Sequence, residues 1–111
     1  METSPGSILI TGATGFIGKR LAQKLVKDGY SVRCMVRQTA SAGLNGTEIV
    51  QGDLLEPATL DKALAGIDIA YYLVHSMSGG RAGFERRDRE AARNFVAAAN
   101  RANIRLSLIH I

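Results

Sequence analysis

The sequence predicts an open, doubly wound α/β sandwich on a parallel sheet, and three observations carry that reading. Short, nearly continuous apolar runs suited to strands buried on both faces, such as SILIT (7–11), alternate along the chain with amphipathic helical segments. The helical segments lie between such runs, where the crossovers of a parallel sheet belong. A length of 111 residues, 46% of them hydrophobic, suffices for one compact core but not for two.

SILIT opens the fold after residues 1–6, which read as a flexible tail ahead of a single domain over 7–111. From Phe16 to Lys27 the apolar Ile17, Leu21 and Leu25 recur every four positions while Lys19, Gln23, Lys24 and Lys27 point elsewhere, and Gly29 follows as a stop. SVRCMVR (31–37) and TEIVQG (47–52) read as the second and third strands, with Gly43, Asn45 and Gly46 between them leaving room for a loop and at most a turn of helix. Pro57 opens a short helix through about Ala65, because the first helical turn has spare N–H groups. IDIAYYLVH (67–75) is a fourth strand. A long helix from about Gly83 to Ala102 places Phe84, Ala91, Ala92, Phe95, Val96 and Ala99 on one side and Arg86, Arg89 and Arg93 on the other. IRLSLIHI (104–111) is a fifth strand. The expected strand order is 3-2-1-4-5, with helices covering both faces. No helix follows the last strand to cover its apolar side chains, so the chain reads as an N-terminal piece whose missing portion carries the substrate site. Its exposed apolar edges would invite self-association.

Charge and cysteine usage narrow the function classes. The 14 basic residues exceed the 10 acidic ones, and the excess sits in residues 81–105, which hold seven arginines and three acids. Those arginines alternate with Glu85, Asp88 and Glu90 and lack an interleaved aromatic ladder, which reads as a solvated helix face and not as a nucleic-acid surface. Cys34 is the only cysteine, so neither an intrachain disulfide nor a cysteine-rich metal site is available. METSPGS has no signal-peptide pattern and no apolar run reaches membrane-spanning length, so a cytoplasmic setting without membrane contact is expected.

The stretch TGATGFIG (11–18) carries the chemistry. Gly12, Gly15 and Gly18 occupy the turn from the first strand into the first helix, where unpaired N–H groups and the positive end of the helix dipole face outward. An anion belongs there. Gly12 permits the tight turn, Gly15 lets the backbone approach a pyrophosphate without a β-carbon in the way, and Gly18 lets the helix pack closely on the sheet. Thr11 and Thr14 add hydroxyl donors nearby. Three glycines can also serve merely as a tight connection, but a buried-type strand before them and an amphipathic helix after them point to a dinucleotide.

The GxxGxxG spacing of TGATGFIG resembles the cofactor motif of the extended and atypical short-chain dehydrogenase/reductases, whose Rossmann-type domain has the sheet expected here. The similarity runs over nearly the whole chain: QGDL (51–54) resembles the family's third-strand end, and YYLVHSM (71–77) a branch of NmrA-like, nucleoside-diphosphate-sugar-epimerase-related proteins. The resemblance implies that Phe16 and Ile17 follow the phosphate turn as part of the cofactor motif. It implies too that the Asp53 carboxylate accepts from the exocyclic amine of adenine, that the Leu54 N–H donates to a ring nitrogen, and that Val74, His75 and Ser76 line the cofactor. Asp53 reads equally well as a loop residue satisfying nearby N–H groups before Pro57. His75 is a candidate proton donor or acceptor near the nicotinamide, though a lone strand-end histidine more often has a structural partner. His110 is a weaker candidate, and Cys34 reads as a small core residue.

The end of the second strand decides between coenzymes. Arg37 stands nineteen positions after Gly18, where an acidic side chain would hold the ribose hydroxyls of NAD, and its guanidinium offers charge-assisted donors to a 2′-phosphate. NADP(H) is therefore favoured over NAD(H). Arg33 is the weaker candidate for this role, and Thr39 and Ser41 offer hydroxyl contacts.

No catalytic residue is identified. Reductases of the superfamily use a tyrosine with a lysine four positions later, whereas Tyr30, Tyr71 and Tyr72 are followed at that spacing by Cys34, His75 and Ser76. Three functions stay open: the NADP(H)-binding portion of an oxidoreductase transferring hydride to a carbonyl or enone; a non-catalytic NAD(P)H-sensing or interaction module; and a nucleotide-sugar epimerase or dehydratase, against which Arg37 counts.

Overall fold

A computed structural model describes residues 6–12, 16–36, 46–74 and 82–110. Five strands, β1 (Ser7–Thr11), β2 (Ser31–Val36), β3 (Thr47–Gln51), β4 (Ile69–Val74) and β5 (Arg105–His110), form one parallel sheet in the order β3-β2-β1-β4-β5. Among the described residues three helices lie between them: α1 (Phe16–Lys27), α2 (Pro57–Leu64) and α3 (Ala82–Arg101). The predicted order is the observed one. The predicted tail over 1–6 lies outside the described residues except for Gly6, as does the loop between β2 and β3 apart from Gly46.

Alternation along each strand sorts the core into two layers. Ile8 and Ile10 of β1, Val32 and Cys34 of β2, and Leu73 of β4 share one face with Ala22 and Leu25 of α1. Leu9, Met35, Ala70 and Tyr72 point to the other, where Leu60, Ala63 and Leu64 of α2 meet Phe95, Ala98 and Ala99 of α3. The rings of Tyr72 and Phe95 stack there at 5.2 Å, and such a pair adds about 1 kcal/mol to its area burial.

The buried line of α1 differs from the predicted one. Gly18, Ala22 and Leu25 face the sheet, whereas Ile17 is 40% exposed and Leu21 only partly buried. Leu25 is common to both lines; at Ile17 and Leu21 the spacing by four picked positions one residue before the buried ones. On α3 the predicted side is observed for Ala91, Phe95 and Ala99, with Ala98 added.

Both long helices end in the same backbone device. At α1 the N–H of Gly29 donates to the Val26 carbonyl and that of Tyr30 to the Leu25 carbonyl, with Gly29 at φ +95°. At α3 Asn103 takes this place at φ +58°, its N–H on the Asn100 carbonyl and the Ile104 N–H on the Ala99 carbonyl. These are Schellman turns, and they aim the chain into the next strand.

Candidate functional site

Because every strand runs the same way, the chain leaves β1, β2, β3 and β4 at one edge of the sheet. Thr11 pairs with Met35 on one side and Tyr72 on the other, and Val36 pairs with Gln51. From β1 the chain crosses to β2 over the α1 face. From β3 it crosses to β4 over the α2 face, so the windings diverge between β1 and β4. A crevice at the carboxyl ends of the strands forms at such a switch point.

Gly12 sits at its mouth, exposed and at φ +73°, where a non-glycine residue is strained. A β-carbon there would lie 3.5 Å from Leu73 Cβ, so the conformation and not crowding calls for glycine. α1 begins four positions later, at Phe16. Its first turn contains no acidic side chain, so no carboxylate of that turn competes for the positive helix end. Gly18, buried against the sheet, brings this end close to the edge. Thr11 has a partner other than the one predicted: it is 3% exposed, and its Oγ1 accepts from the Leu73 N–H at 3.3 Å.

The segment after β3 is held from several directions. The Gly52 N–H donates to the Val36 carbonyl at 2.9 Å, tying the end of β3 to β2. The Asp53 N–H donates to Thr59 Oγ1 at 2.9 Å, whose hydroxyl in turn reaches the Glu56 carbonyl at 2.8 Å. Asp53 Oδ1 accepts from the Leu55 N–H at 2.9 Å, the loop role that was one of its two readings. From α3, Asn94 Nδ2 donates to the Leu54 carbonyl at 2.8 Å. Leu54 packs partly buried on the core, and its own N–H meets no acceptor among the described residues. A groove of about 470 Å³ runs beside this loop, lined by Gln51, Gly52, Asp53, Thr59 and Lys62 among others.

Arg33 lies far from that edge. It pairs in register with Leu9 and Glu48, three residues before the end of β2. Its Nε donates to Glu48 Oε1 at 2.9 Å and its Nη1 to the Ala63 and Ala65 carbonyls at 2.8 and 2.7 Å. The guanidinium therefore caps the negative end of α2. Cys34 is buried as predicted, and burial pushes its thiol pKa up, against a smaller lowering by a hydrogen bond with Thr47. Burial, followed by the nearby Asp88 charge, also raises the Tyr72 phenol pKa.

Of the predicted site residues, the structure brings Gly12, Asp53, Leu54 and the backbone of Val74 to one sheet edge, with Ile17 and Gly18 in the first turn of α1. Phe16 is described only in its backbone. Thr14, Gly15, Arg37 and His75 lie outside the described residues, as do Thr39, Ser41 and Ser76. Thr59 and Asn94 escaped the sequence reading. The one signal for Asn94 was an amide standing between apolar Ala91, Ala92 and Phe95. Among the described residues no cluster of His, Cys, Asp or Glu has the make-up of a metal site, and no helix is long and apolar enough to cross a membrane.

A parallel sheet of this order, with a glycine-bearing β1–α1 turn at its switch point, defines a dinucleotide-binding domain of the doubly wound class. The chain belongs to the NAD(P)H-binding family, which it matches over residues 12–110, and a nicotinamide dinucleotide is its cofactor. It is 33% identical over 101 residues to the photosystem II assembly factor Ycf39 of Cyanophora paradoxa, covering 88% of this chain and 32% of that protein. With ceramide reductase of Caulobacter vibrioides it shares 32% identity over 108 residues, covering 94% of this chain and 34% of the other. A short-chain dehydrogenase/reductase superfamily protein from Agrobacterium tumefaciens, solved with bound NAD, superposes with a TM-score of 0.74 at 27% identity, over 92% of this chain and 31% of that one. The resemblance carried by TGATGFIG is thus confirmed, and the chain spans about a third of the length of the curated relatives it matches.

Proposed function

We propose that this chain is the NADP(H)-binding portion of a reductase that acts on a carbonyl or enone in the whole protein. The observation that carries the proposal is Gly12 at φ +73° on the switch-point edge, next to a helix start with no acid in its first turn. A ceramide reductase among the relatives supports a reductive role. The bound coenzyme supplies a hydride from its nicotinamide ring.

The chain's own residues bind and orient. Backbone amides from Gly12 to Gly18 face the pyrophosphate, and Gly15 leaves room for its approach. Arg37, directly after β2, pairs with a 2′-phosphate through planar charged donors, which selects NADP(H). Asp53 and the Leu54 N–H receive the adenine edge, and Val74 with His75 flanks the inner part of the cofactor. Asp53 fits this task together with its loop role, because among the described residues its carboxylate is engaged through Oδ1 alone, with Leu55.

Fluorescence titration of the full-length protein with NADPH and NADH, followed by NADPH oxidation against a panel of aldehydes, ketones and enones, tests the reading. Tighter NADPH binding with turnover on one class is expected. A second reading rests on the assembly-factor relative: coenzyme occupancy alters a protein contact without turnover. Tight NADPH binding with no oxidation across the panel selects it.

A further inference from the structure

We propose that Asn94, on α3, is the positioning residue that holds the β3–α2 loop at the place where Leu54 and Asp53 receive the adenine ring. This rests on the dinucleotide reading above and adds a residue that no coenzyme contact requires.

The loop after Gln51 has no ladder to order it. Its shape depends on hydrogen bonds within the loop, and its position on a side chain arriving from elsewhere. Thr59, on the following helix, fixes Asp53 through that residue's N–H at 2.9 Å. Asp53 Oδ1 then turns the chain by accepting from Leu55. These contacts are local in sequence, as are those of the Asp53 carbonyl, which accepts from the Glu56 N–H at 2.9 Å and from Thr59 Oγ1 at 3.1 Å; together they shape the turn and leave its place against the rest of the fold to be set. Asn94 sets it from forty positions away, donating from Nδ2 to the Leu54 carbonyl at 2.8 Å in a partly buried setting. Holding that carbonyl docks the turn on α3, and the Leu54 N–H carried by the turn meets no acceptor among the described residues.

The neighbours of Asn94 explain why α3 can do this accurately. Ala91, Phe95 and Ala98 anchor the helix in the core, with Phe95 fully buried and stacked on Tyr72. A donor mounted there is preorganised, so the loop needs little ordering when the purine arrives. Without it the carbonyl turns to water and the turn, carrying the Leu54 N–H, shifts out of line with a ring nitrogen.

The test is calorimetry on the full-length protein with two half-coenzymes: ADP, which carries the adenine, and NMNH, which lacks it. Asn94→Ala and the isosteric Asn94→Asp are expected to weaken ADP about tenfold, the worth of one well-placed hydrogen bond, while NMNH affinity stays within about twofold. A general structural defect would weaken both ligands together, and that result overturns the proposal. Unchanged ADP affinity in both variants also overturns it while leaving the dinucleotide reading standing. Failure of the unsubstituted protein to bind ADP at millimolar concentration removes that reading and the proposal with it. Should neither variant fold, the Asn94 side-chain amide resonance of the unsubstituted protein serves instead: it is expected to shift on adding ADP and to stay in place with NMNH, and a still resonance in saturating ADP refutes the role.

Discussion

Across the junction of β1 and β4, Thr11 Oγ1 accepts a hydrogen bond from the backbone N–H of Leu73 at 3.3 Å. The β1–β4 ladder pairs Thr11 with Tyr72 and stops there, because the chain turns away at Gly12. The hydroxyl satisfies the next N–H of β4 and holds the strands together where the windings diverge. Thr11→Val keeps the shape and removes the acceptor, leaving a buried N–H unpaired at a cost of about 1–2 kcal/mol. Urea unfolding should show the loss, and an unchanged midpoint would mean that Leu73 finds another acceptor.

Arg33 of β2 and Arg37, four positions further along the chain, should separate stability from coenzyme choice. Arg33→Met removes the donors to the Ala63 and Ala65 carbonyls and the pair with Glu48, and should cost about 2 kcal/mol. It should leave the ratio of NADPH to NADH affinity unaltered. Arg37→Asp should do the reverse, moving preference towards NADH with little change in unfolding midpoint. Parallel titrations of the two variants check both halves, and a variant that kept its NADPH preference without Arg37 would place the 2′-phosphate contact elsewhere.

Gly52 is required by a neighbour, not by its backbone angle. A β-carbon there would lie 2.7 Å from Met35 Sδ and 2.9 Å from its Cγ, inside a buried contact. Gly52→Ala should destabilise by about 1–3 kcal/mol through overpacking. Combining it with Met35→Ala should cost less than the sum of the single changes, since each makes room for the other. Strict additivity in a double-mutant cycle would contradict the clash.

The two raised pKa values set an alkaline limit. Cys34 and Tyr72 are kept neutral in the fold above their ordinary values of 9.0 and 10.0, so the unfolded chain releases these protons first. The stability they contribute is intact below about pH 9 and declines as pH rises through the folded values. Unfolding midpoints should fall from pH 9 upward, and iodoacetamide should label Cys34 only after unfolding. Rapid labelling of folded protein at pH 8 would contradict its burial.

The succession of strands and helices was legible in the sequence because continuous apolar runs mark buried strands and a period of about four marks amphipathic helices, and their alternation implies a parallel, doubly wound sheet. Ile17 shows the limit of that mark: apolar spacing alone did not distinguish the stripe of Ile17, Leu21 and Leu25 from the observed line of Gly18, Ala22 and Leu25. Side-chain partners distant in sequence were less legible still. Nothing near Arg33 announces that it reaches carbonyls thirty positions on, and nothing near Asn94 announces Leu54. Thr11 was read as a ligand donor because its neighbours read as a phosphate turn, whereas its burial gives the hydroxyl to β4.

The most direct measurement is a calorimetric titration of NADPH into the full-length protein and its Gly15→Val variant. Saturable one-to-one binding to the unsubstituted protein is expected, with a loss of more than about a hundredfold, roughly 2.7 kcal/mol, when a branched side chain stands where the pyrophosphate approaches. Equal affinity in the variant, or no heat from the unsubstituted protein at millimolar NADPH, would contradict the assignment of the β1–α1 turn as the diphosphate cradle.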